Sequence, residues 1–170
     1  MNAPIVWIMG GPNSGKDVQV QKIVEKYGFT HIDPNAMVDK EIEAKSADGK
    51  KFEAIRKDGK EVPLADIVPL VEKQIMGQRG GINGFLLNGY PRNEAEAKVL
   101  EDRLGQPTMI IALDVQGDTN KKESKAVLQK YSNITMQLNA ERDANEVFED
   151  LVPNMETLVK NRGPQISIGR

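Results

Sequence analysis

The stretch PIVWIMGGPNSGK, residues 4–16, decides the fold of this 170-residue chain. Its first half holds a short apolar run rich in β-branched residues, Ile5 to Met9, which is typical of a strand buried in a parallel sheet. In its second half four residues separate Gly10 from the pair Gly15 and Lys16, which is the spacing of a phosphate-binding loop between a strand and a helix. The sequence therefore predicts a nucleotide-binding type of α/β fold.

The loop supplies the candidate nucleotide-binding residues. Glycines let backbone N–H groups close around a phosphate, and the start of the next helix adds positive potential. A lysine at this spacing can reach the outer phosphates of a nucleotide. On this basis Gly10, Gly11, Gly15 and Lys16 form the predicted site.

The two residues after the lysine depart from the phosphate-loop pattern. A Ser or Thr is expected there to contact phosphate or Mg²⁺, but the chain has Asp17 and Val18. Three interpretations of Asp17 stay open. Its carboxylate competes with a phosphate for the helix N-terminus, it ligates Mg²⁺, or it is an ordinary acidic residue in a first helical turn.

Beyond the loop, short apolar runs alternate with segments of helical periodicity, which indicates an α/β fold with a parallel sheet. We expect Pro69 to distort the fourth helix and Pro153 to interrupt the last one. Exposed turns are predicted at 48–51 and 57–60. Strands are predicted at 5–9, 30–32, 84–88, 109–115 and 134–138, and helices at 17–27, 35–46, 50–58, about 64–75, 93–104, 120–132 and 144–161.

Composition excludes several other classes of function. The formal net charge is −2 and aromatic residues make up 5% of the chain, which argues against a nucleic-acid binder. No apolar run approaches the length of a membrane span, and the first residues lack the pattern of a signal peptide. There is no cysteine, so disulfides and thiol-ligated metals are excluded. We predict a cytoplasmic protein with no membrane or nucleic-acid partner.

Five motifs, in order along almost the whole chain, give a resemblance to adenylate kinase, of the short nucleoside monophosphate kinase type. The resemblance implies five parallel strands, a loop for ATP, a small helical flap for AMP and a lid over the phosphates. It also implies one domain over residues 1–162, with the flap at about 33–75 and a loose tail at 163–170. The motifs are GGPNSGK (10–16), QKIVEKYGFTHI (21–32), DGKEVPLADIV (58–68), GFLLNGYPR (84–92) and NAERDANEVFEDL (139–151).

Several positions differ from what the resemblance implies for an active kinase. The arginine that holds the AMP phosphate is matched by Asp39, a reversal of charge. The aspartate that orients Mg²⁺ through water is matched by Asn88, and the glutamine that reads the AMP base is matched by Glu96. Arg92 is retained, and its guanidinium could bind a phosphate in a forked geometry.

The lid of the family is missing from the sequence. The fourth predicted strand leads within a few residues into the helix that precedes the fifth strand, and no arginine lies between Arg103 and Arg142. Phosphoryl transfer depends on positioned cations, so this loss bears directly on activity. Lys121, Lys122 and Lys125 are interpreted as a solvated helix face.

The sequence therefore predicts a catalytically degenerate adenylate-kinase-like domain that serves as a scaffold, assembly or regulatory module for protein partners. Residual weak binding of ATP or ADP would use the loop and Arg92. The alternative is an active nucleoside monophosphate kinase with an altered site, in which Lys16 and Arg92 are catalytic and Mg²⁺ is required. No metal ligand is assigned, since Asp17 and Asn88 stand at the degenerate positions. His31 and Trp7 are interpreted as structural.

Overall fold

The structure is a computed structural model that describes residues 4–10, 14–77, 83–114 and 121–168, with side chains for 125–159 in the last range. No helix in these ranges is long and apolar enough to span a membrane. A short 3-10 turn, Ser132–Ile134, precedes the last strand. The strands are β1 (Ile5–Gly10), β2 (Thr30–Ile32), β3 (Phe85–Asn88), β4 (Met109–Asp114) and β5 (Thr135–Asn139), and the helices are α1 (Lys16–Tyr27), α2 (Pro34–Ala44), α3 (Ala47–Lys57), α4 (Leu64–Gly77), α5 (Glu94–Leu104), α6 (Lys121–Lys130) and α7 (Ala144–Ile168).

All five strands join one parallel sheet in the order β2-β3-β1-β4-β5. The predicted α/β fold with a five-stranded parallel sheet is confirmed, and each strand lies within one residue of its predicted bounds. The first strand is central: Trp7 pairs with Leu87 on one side and with Ile110 on the other. Because all strands run the same way, the segments that follow them meet at one edge. We call the ends of β1, β2 and β3, at Gly10, Ile32 and Asn88, the carboxyl edge.

The core lies in two layers, one on each face of the sheet, because successive side chains of a strand point to opposite faces. In β1, Val6 and Ile8 pack with α1 and α7, whereas Trp7 and Met9 pack with α2 to α6. Trp7 is fully buried, and its ring makes an edge-to-face contact with Tyr131 at 5.3 Å between centroids. This placement agrees with the structural role that the sequence indicated for Trp7.

The closing helix corrects the expectation for Pro153. Helix α7 continues through that residue, which is exposed, while Val147, Leu151 and Met155 are buried on the opposite side. The hydrogen bond lost at proline therefore falls on the solvent side, where water can replace it, and packing holds both halves of the helix. The helix extends to Ile168, into the residues expected to form a loose tail, since elongating a formed helix is easier than starting one.

The flap helices contain a second difference. Residues 48–51 were expected to form an exposed turn, but they lie in α3, where Ser46 caps the helix by accepting a hydrogen bond from the N–H of Gly49. Gly49 is buried, and a Cβ there would come within 2.0 Å of the carbonyl oxygen of Glu41 in α2. The close contact between α2 and α3 requires this glycine. The residues of a local turn motif do not reveal such a contact. The turn at 57–60 was correct, with Gly59 at φ +77°.

Helix α4 agrees with its predicted apolar face. It runs from Leu64 through Pro69 to Gly77. Pro69 is exposed, so its missing N–H again falls on the solvent side. The buried residues of the helix are Leu64, Ile67, Val68, Val71 and Ile75.

Candidate functional site

The phosphate loop joins β1 to α1 at the carboxyl edge. Gly15 caps α1 with φ +71°, a left-handed conformation that glycine adopts without strain, and it leaves the helix N-terminus uncovered by any side-chain cap. A Cβ on Gly10 would lie 2.4 Å from the Oγ of the buried Ser14, so the loop closes against this glycine. Gly11, the remaining predicted glycine, lies outside the described residues.

Lys16 is the first residue of α1, and its ammonium lies beside the turn that follows β3. A Cβ on Gly89 would be 3.4 Å from the Lys16 Nζ. The ammonium makes no hydrogen bond or ion pair with any residue in the described ranges. Lys16 is half-buried, so its charge is available to an anion at the helix N-terminus.

Asp17 does not hold the lysine. Its carboxylate faces β3 instead, where the Nδ2 of Asn88 lies 3.5 Å from Oδ1, the length of a weak hydrogen bond. The same Nδ2 lies 3.1 Å from the Nε2 of His31. Asp17, Asn88 and His31 therefore form a polar cluster at the carboxyl edge, with one amide nitrogen between a carboxylate and an imidazole.

The cluster offers few oxygen ligands for a metal ion. Asp17 is its only carboxylate, and the described residues contain no group of three or more His, Cys, Asp or Glu that could hold a metal. Asn88 is 5% exposed, and its Oδ1 has no hydrogen-bond partner among the described residues. Mg²⁺ commonly takes one or two carboxylates and fills its other positions with substrate phosphates and waters, so an ion here would depend mainly on the phosphates of a bound nucleotide.

The retained arginine lies in a second cluster, beyond the turn after β3. The Nε and Nη2 of Arg92 donate to the two carboxylate oxygens of Glu96 at 3.1 and 2.7 Å. The Nη1 donates to Glu61 at 2.9 Å, and the guanidinium lies 4.9 Å from the ring centroid of Tyr90. Hydrogen bonding to Glu96 raises the pKa of Arg92 and keeps it cationic. The N–H donors of the Arg92 guanidinium are thus occupied by carboxylates of the chain itself.

Asp39 is also paired within the chain. Its carboxylate accepts a hydrogen bond of 2.6 Å from Arg56 across the two flap helices. Glu61 lies in the motif at 58–68, in which Val62 and Leu64 are buried. The motif therefore packs into the core, and in addition it brings the carboxylate of Glu61 to Arg92.

The structure brings the predicted site residues together only in part. Lys16, Asp17 and Asn88 meet at the carboxyl edge, whereas Arg92 belongs to the second cluster. Lys125 is exposed, in agreement with a solvated helix face, and the side chains of Lys121 and Lys122 lie outside the described residues.

Sequence reasoning missed two contacts. His31 was assigned no polar partner, yet β2 and β3 are neighbours and place it beside Asn88. The pairing of Arg92 with Glu96 was also missed, although their spacing of four residues is the spacing of a helical ion pair. No local signal links Glu61 to Arg92, because they are 31 residues apart.

Comparison with known proteins gives one consistent result. A family model described as Adenylate kinase matches residues 8–162. Adenylate kinase 1 of Drosophila melanogaster is 28% identical over 189 residues, which cover 94% of this chain and 82% of that protein. Adenylate kinase isoenzyme 1 of Homo sapiens is 29% identical over 184 residues, covering 91% and 95%. The isoenzyme 1 of Oryctolagus cuniculus is 36% identical over 120 residues, covering 71% and 62%.

Proposed function

The chain belongs to the adenylate kinase family, and from that premise we propose that it is a catalytically inactive member that serves as a scaffold, assembly or regulatory module. Weak binding of an adenine nucleotide at the phosphate loop is part of the proposal. Its basis is that the parallel sheet and its flanking helices are kept, whereas the lid is lost and several groups that the resemblance implies for phosphoryl transfer are replaced or engaged. Function has to be argued from the site, since a fold alone does not imply activity.

The observation that carries the proposal is the connection between β4 and α6. Strand β4 ends at Asp114 and α6 begins at Lys121, so six residues join them. Such a connection is too short to hold a lid that covers a nucleotide and brings arginines to it. One positioned arginine is worth roughly 10³–10⁵ in the rate of phosphoryl transfer, and a lid also excludes water.

The alignments support a deletion of this kind. The alignment with the human relative runs over 184 residues but takes up 91% of this chain, which is about 155 of its 170 residues. About 29 aligned positions of the relative therefore have no counterpart here. This number of unmatched positions is large enough to include a deleted lid at the short connection after β4.

The cluster around Arg92 also supports an inactive protein. Arg92 already has two carboxylate partners, and Asp39 puts a negative charge where the resemblance implies a cation. A phosphate at either place would meet carboxylates, which repel it. The positions at which the resemblance implies AMP binding are therefore unsuited to AMP in this chain.

The phosphate loop, where ATP would bind, retains more of the residues that bind a nucleotide. The Lys16 ammonium and the left-handed Gly15 at the start of α1 form an anion-binding arrangement that fits the phosphates of a nucleotide. Asp17 and the missing hydroxyl at Val18 weaken it. We therefore propose binding without transfer, and a cytoplasmic protein that acts through protein partners.

One observation favours an alternative, an active nucleoside monophosphate kinase with an altered site. The ammonium of Lys16 is unpaired among the described residues and lies at the turn after β3, as a working loop requires. Activity would then need cations from another chain to replace the lid.

A turnover assay with a matched binding measurement tests the proposal. We expect conversion of ADP to ATP and AMP in the presence of Mg²⁺ to stay far below roughly 1 s⁻¹, the low end for ordinary enzymes. We expect Lys16→Met to weaken ATP binding by about ten- to a hundredfold, the effect of one charge-assisted hydrogen bond. Lys22→Met is the control, because Lys22 lies on the same helix and bonds Asn145. Turnover at an ordinary enzymatic rate would establish the alternative instead.

A further inference from the structure

We infer that Glu96 is an intramolecular ligand of Arg92 that excludes phosphate monoesters from its guanidinium. The inference deepens the proposed function, on which it rests, by naming the residue that closes the second half of the site. The inference concerns which anions Arg92 can bind. The carboxylate of Glu96 in the same chain occupies the guanidinium and so keeps other anions from it.

The geometry of the pair is that of a bound ligand. The two oxygens of Glu96 accept from Nε and Nη2 of Arg92, the parallel arrangement by which a guanidinium also binds a phosphate. The side chain of Glu96 is 13% exposed and that of Arg92 is 34% exposed, so the pair is largely shielded from solvent. A phosphate could take this face of the guanidinium only by displacing Glu96.

The local charge adds to this steric exclusion. Two carboxylates, Glu96 and Glu61, face one guanidinium, so the cluster carries a net charge of −1. Asp33 and Tyr90 also lie close enough to act electrostatically, and burial raises the pKa of Tyr90, which keeps that phenol neutral. An incoming phosphate therefore meets a negative cluster although it contains an arginine.

Helix capping explains only part of this contact. Glu96 lies in the first turn of α5, where its N–H is capped by the side chain of Asn93, and its Oε1 accepts from the backbone N–H of Arg92. These bonds resemble a capping box and would exist without the guanidinium. The bonds from Nε to Oε1 and from Nη2 to Oε2 are additional, and they are the ones that a phosphate would replace.

The test is a gain of binding. Glutamine at position 96 keeps an oxygen for the backbone N–H of Arg92, so Glu96→Gln preserves the cap while removing the charge. We expect it to strengthen binding of AMP and inorganic phosphate at least about tenfold, the scale of one unshielded charge interaction near a surface. Titrations would follow the Arg92 Nε–H resonance by NMR, which reports contact at the guanidinium itself. Glu61→Gln should act more weakly, because Glu61 is 78% exposed and makes one contact.

Two controls make the result specific. Asp102→Asn removes a carboxylate of equal spacing from an ion pair with Lys98 on the same helix, and it should leave phosphate binding unchanged. Adding Arg92→Gln to the Glu96→Gln variant should abolish the gain. If folded Glu96→Gln binds phosphate no better than the parent chain, the glutamate is a helix cap only and the inference is wrong. Because binding and not turnover is measured, this failure is distinct from a failure of the proposed function.

Discussion

Positions 17 and 88 illustrate how single residues alter the character of a phosphate site. A carboxylate in the first turn of α1 is stabilised by the helix dipole, and here it also faces the amide of Asn88 at 3.5 Å. Asp17 is exposed and forms no ion pair with Lys16. We therefore expect it to act on an anion by repulsion across the helix N-terminus, since Lys16 makes no ion pair within the described part of the chain.

Restoring the usual small and hydroxyl residues tests that effect. We expect Asp17→Gly combined with Val18→Thr to strengthen ATP binding by about tenfold, because one charge repulsion is removed and one phosphate-directed hydroxyl is gained. Catalysis should not return, since only six residues join β4 to α6 in the variant as well. Isothermal titration calorimetry measures the change.

A control variant distinguishes the effect of the charge at position 17 from an effect of the net charge of the protein. Asp48→Gly removes an exposed acid from the first turn of α3, far along the chain from the loop, and should leave ATP affinity unchanged. If the double variant at positions 17 and 18 also binds ATP no better than the parent chain, Asp17 is an ordinary helix-start acid.

Among the helices, the pair α2 and α3 depends on a close backbone contact. The two helices are joined by Lys45 and Ser46, and Ser46 both caps α3 and donates to the carboxylate of Glu41 at 2.6 Å. Gly49 then brings α3 against the carbonyl of Glu41. This arrangement holds α3 close against α2.

We expect Gly49→Ala to destabilise the protein by about 1–3 kcal/mol. The added Cβ would lie 2.0 Å from a backbone oxygen, and the resulting overpacking exceeds the helix propensity gained from alanine. Chemical denaturation measures the loss. Gly77→Ala at the end of α4 is the control, since no atom of the described residues lies within 4 Å of a Cβ there, and it should be neutral or slightly stabilising. Equal stability of the two variants would contradict the close packing.

Across the protein, the three tyrosines join separate parts of the fold. Tyr27 donates to Glu156 between α1 and α7, Tyr131 donates to Glu101 of α5, and Tyr90 donates to Asn35 of the flap. All three are buried. Burial is the largest cause that raises the pKa of each phenol above its usual value of about 10, and the carboxylate partners add to it for Tyr27 and Tyr131.

These shifts predict alkaline sensitivity. Above about pH 10 the unfolded chain loses tyrosine protons that the folded chain keeps, so the free energy of unfolding falls as pH rises. The slope reaches up to about 1.4 kcal/mol per pH unit for each tyrosine. Below that pH these groups contribute no slope, because both states are protonated. Denaturation at several pH values, with ultraviolet absorbance of tyrosinate, measures both effects. A tyrosinate step near pH 10 while the protein is still folded would contradict the prediction.

The strands and the phosphate loop could be predicted from the sequence because each depends on residues that are close together in the chain. A run such as Ile5 to Met9 needs burial on both faces, and the glycine spacing before Lys16 needs a strand and a helix on either side. The resemblance to adenylate kinase came from motifs of the same local kind. Helix bounds were also largely correct, except that α3 begins three residues earlier, at Ala47, and that α7 continues through Pro153 to Ile168.

Contacts between distant segments were decided only by tertiary structure. Arg92 could be recognised in the sequence, but its availability depends on Glu61, which is 31 residues away. His31 and Asn88 are 57 residues apart and meet because β2 and β3 are neighbours in the sheet. Local pattern reports which groups a site contains, whereas the partners that neutralise those groups are set by strand order and helix packing. For this reason the sequence identified the family and the loop, whereas the fold determined that Arg92 is paired with carboxylates and that Lys16 has no ion-pair partner among the described residues.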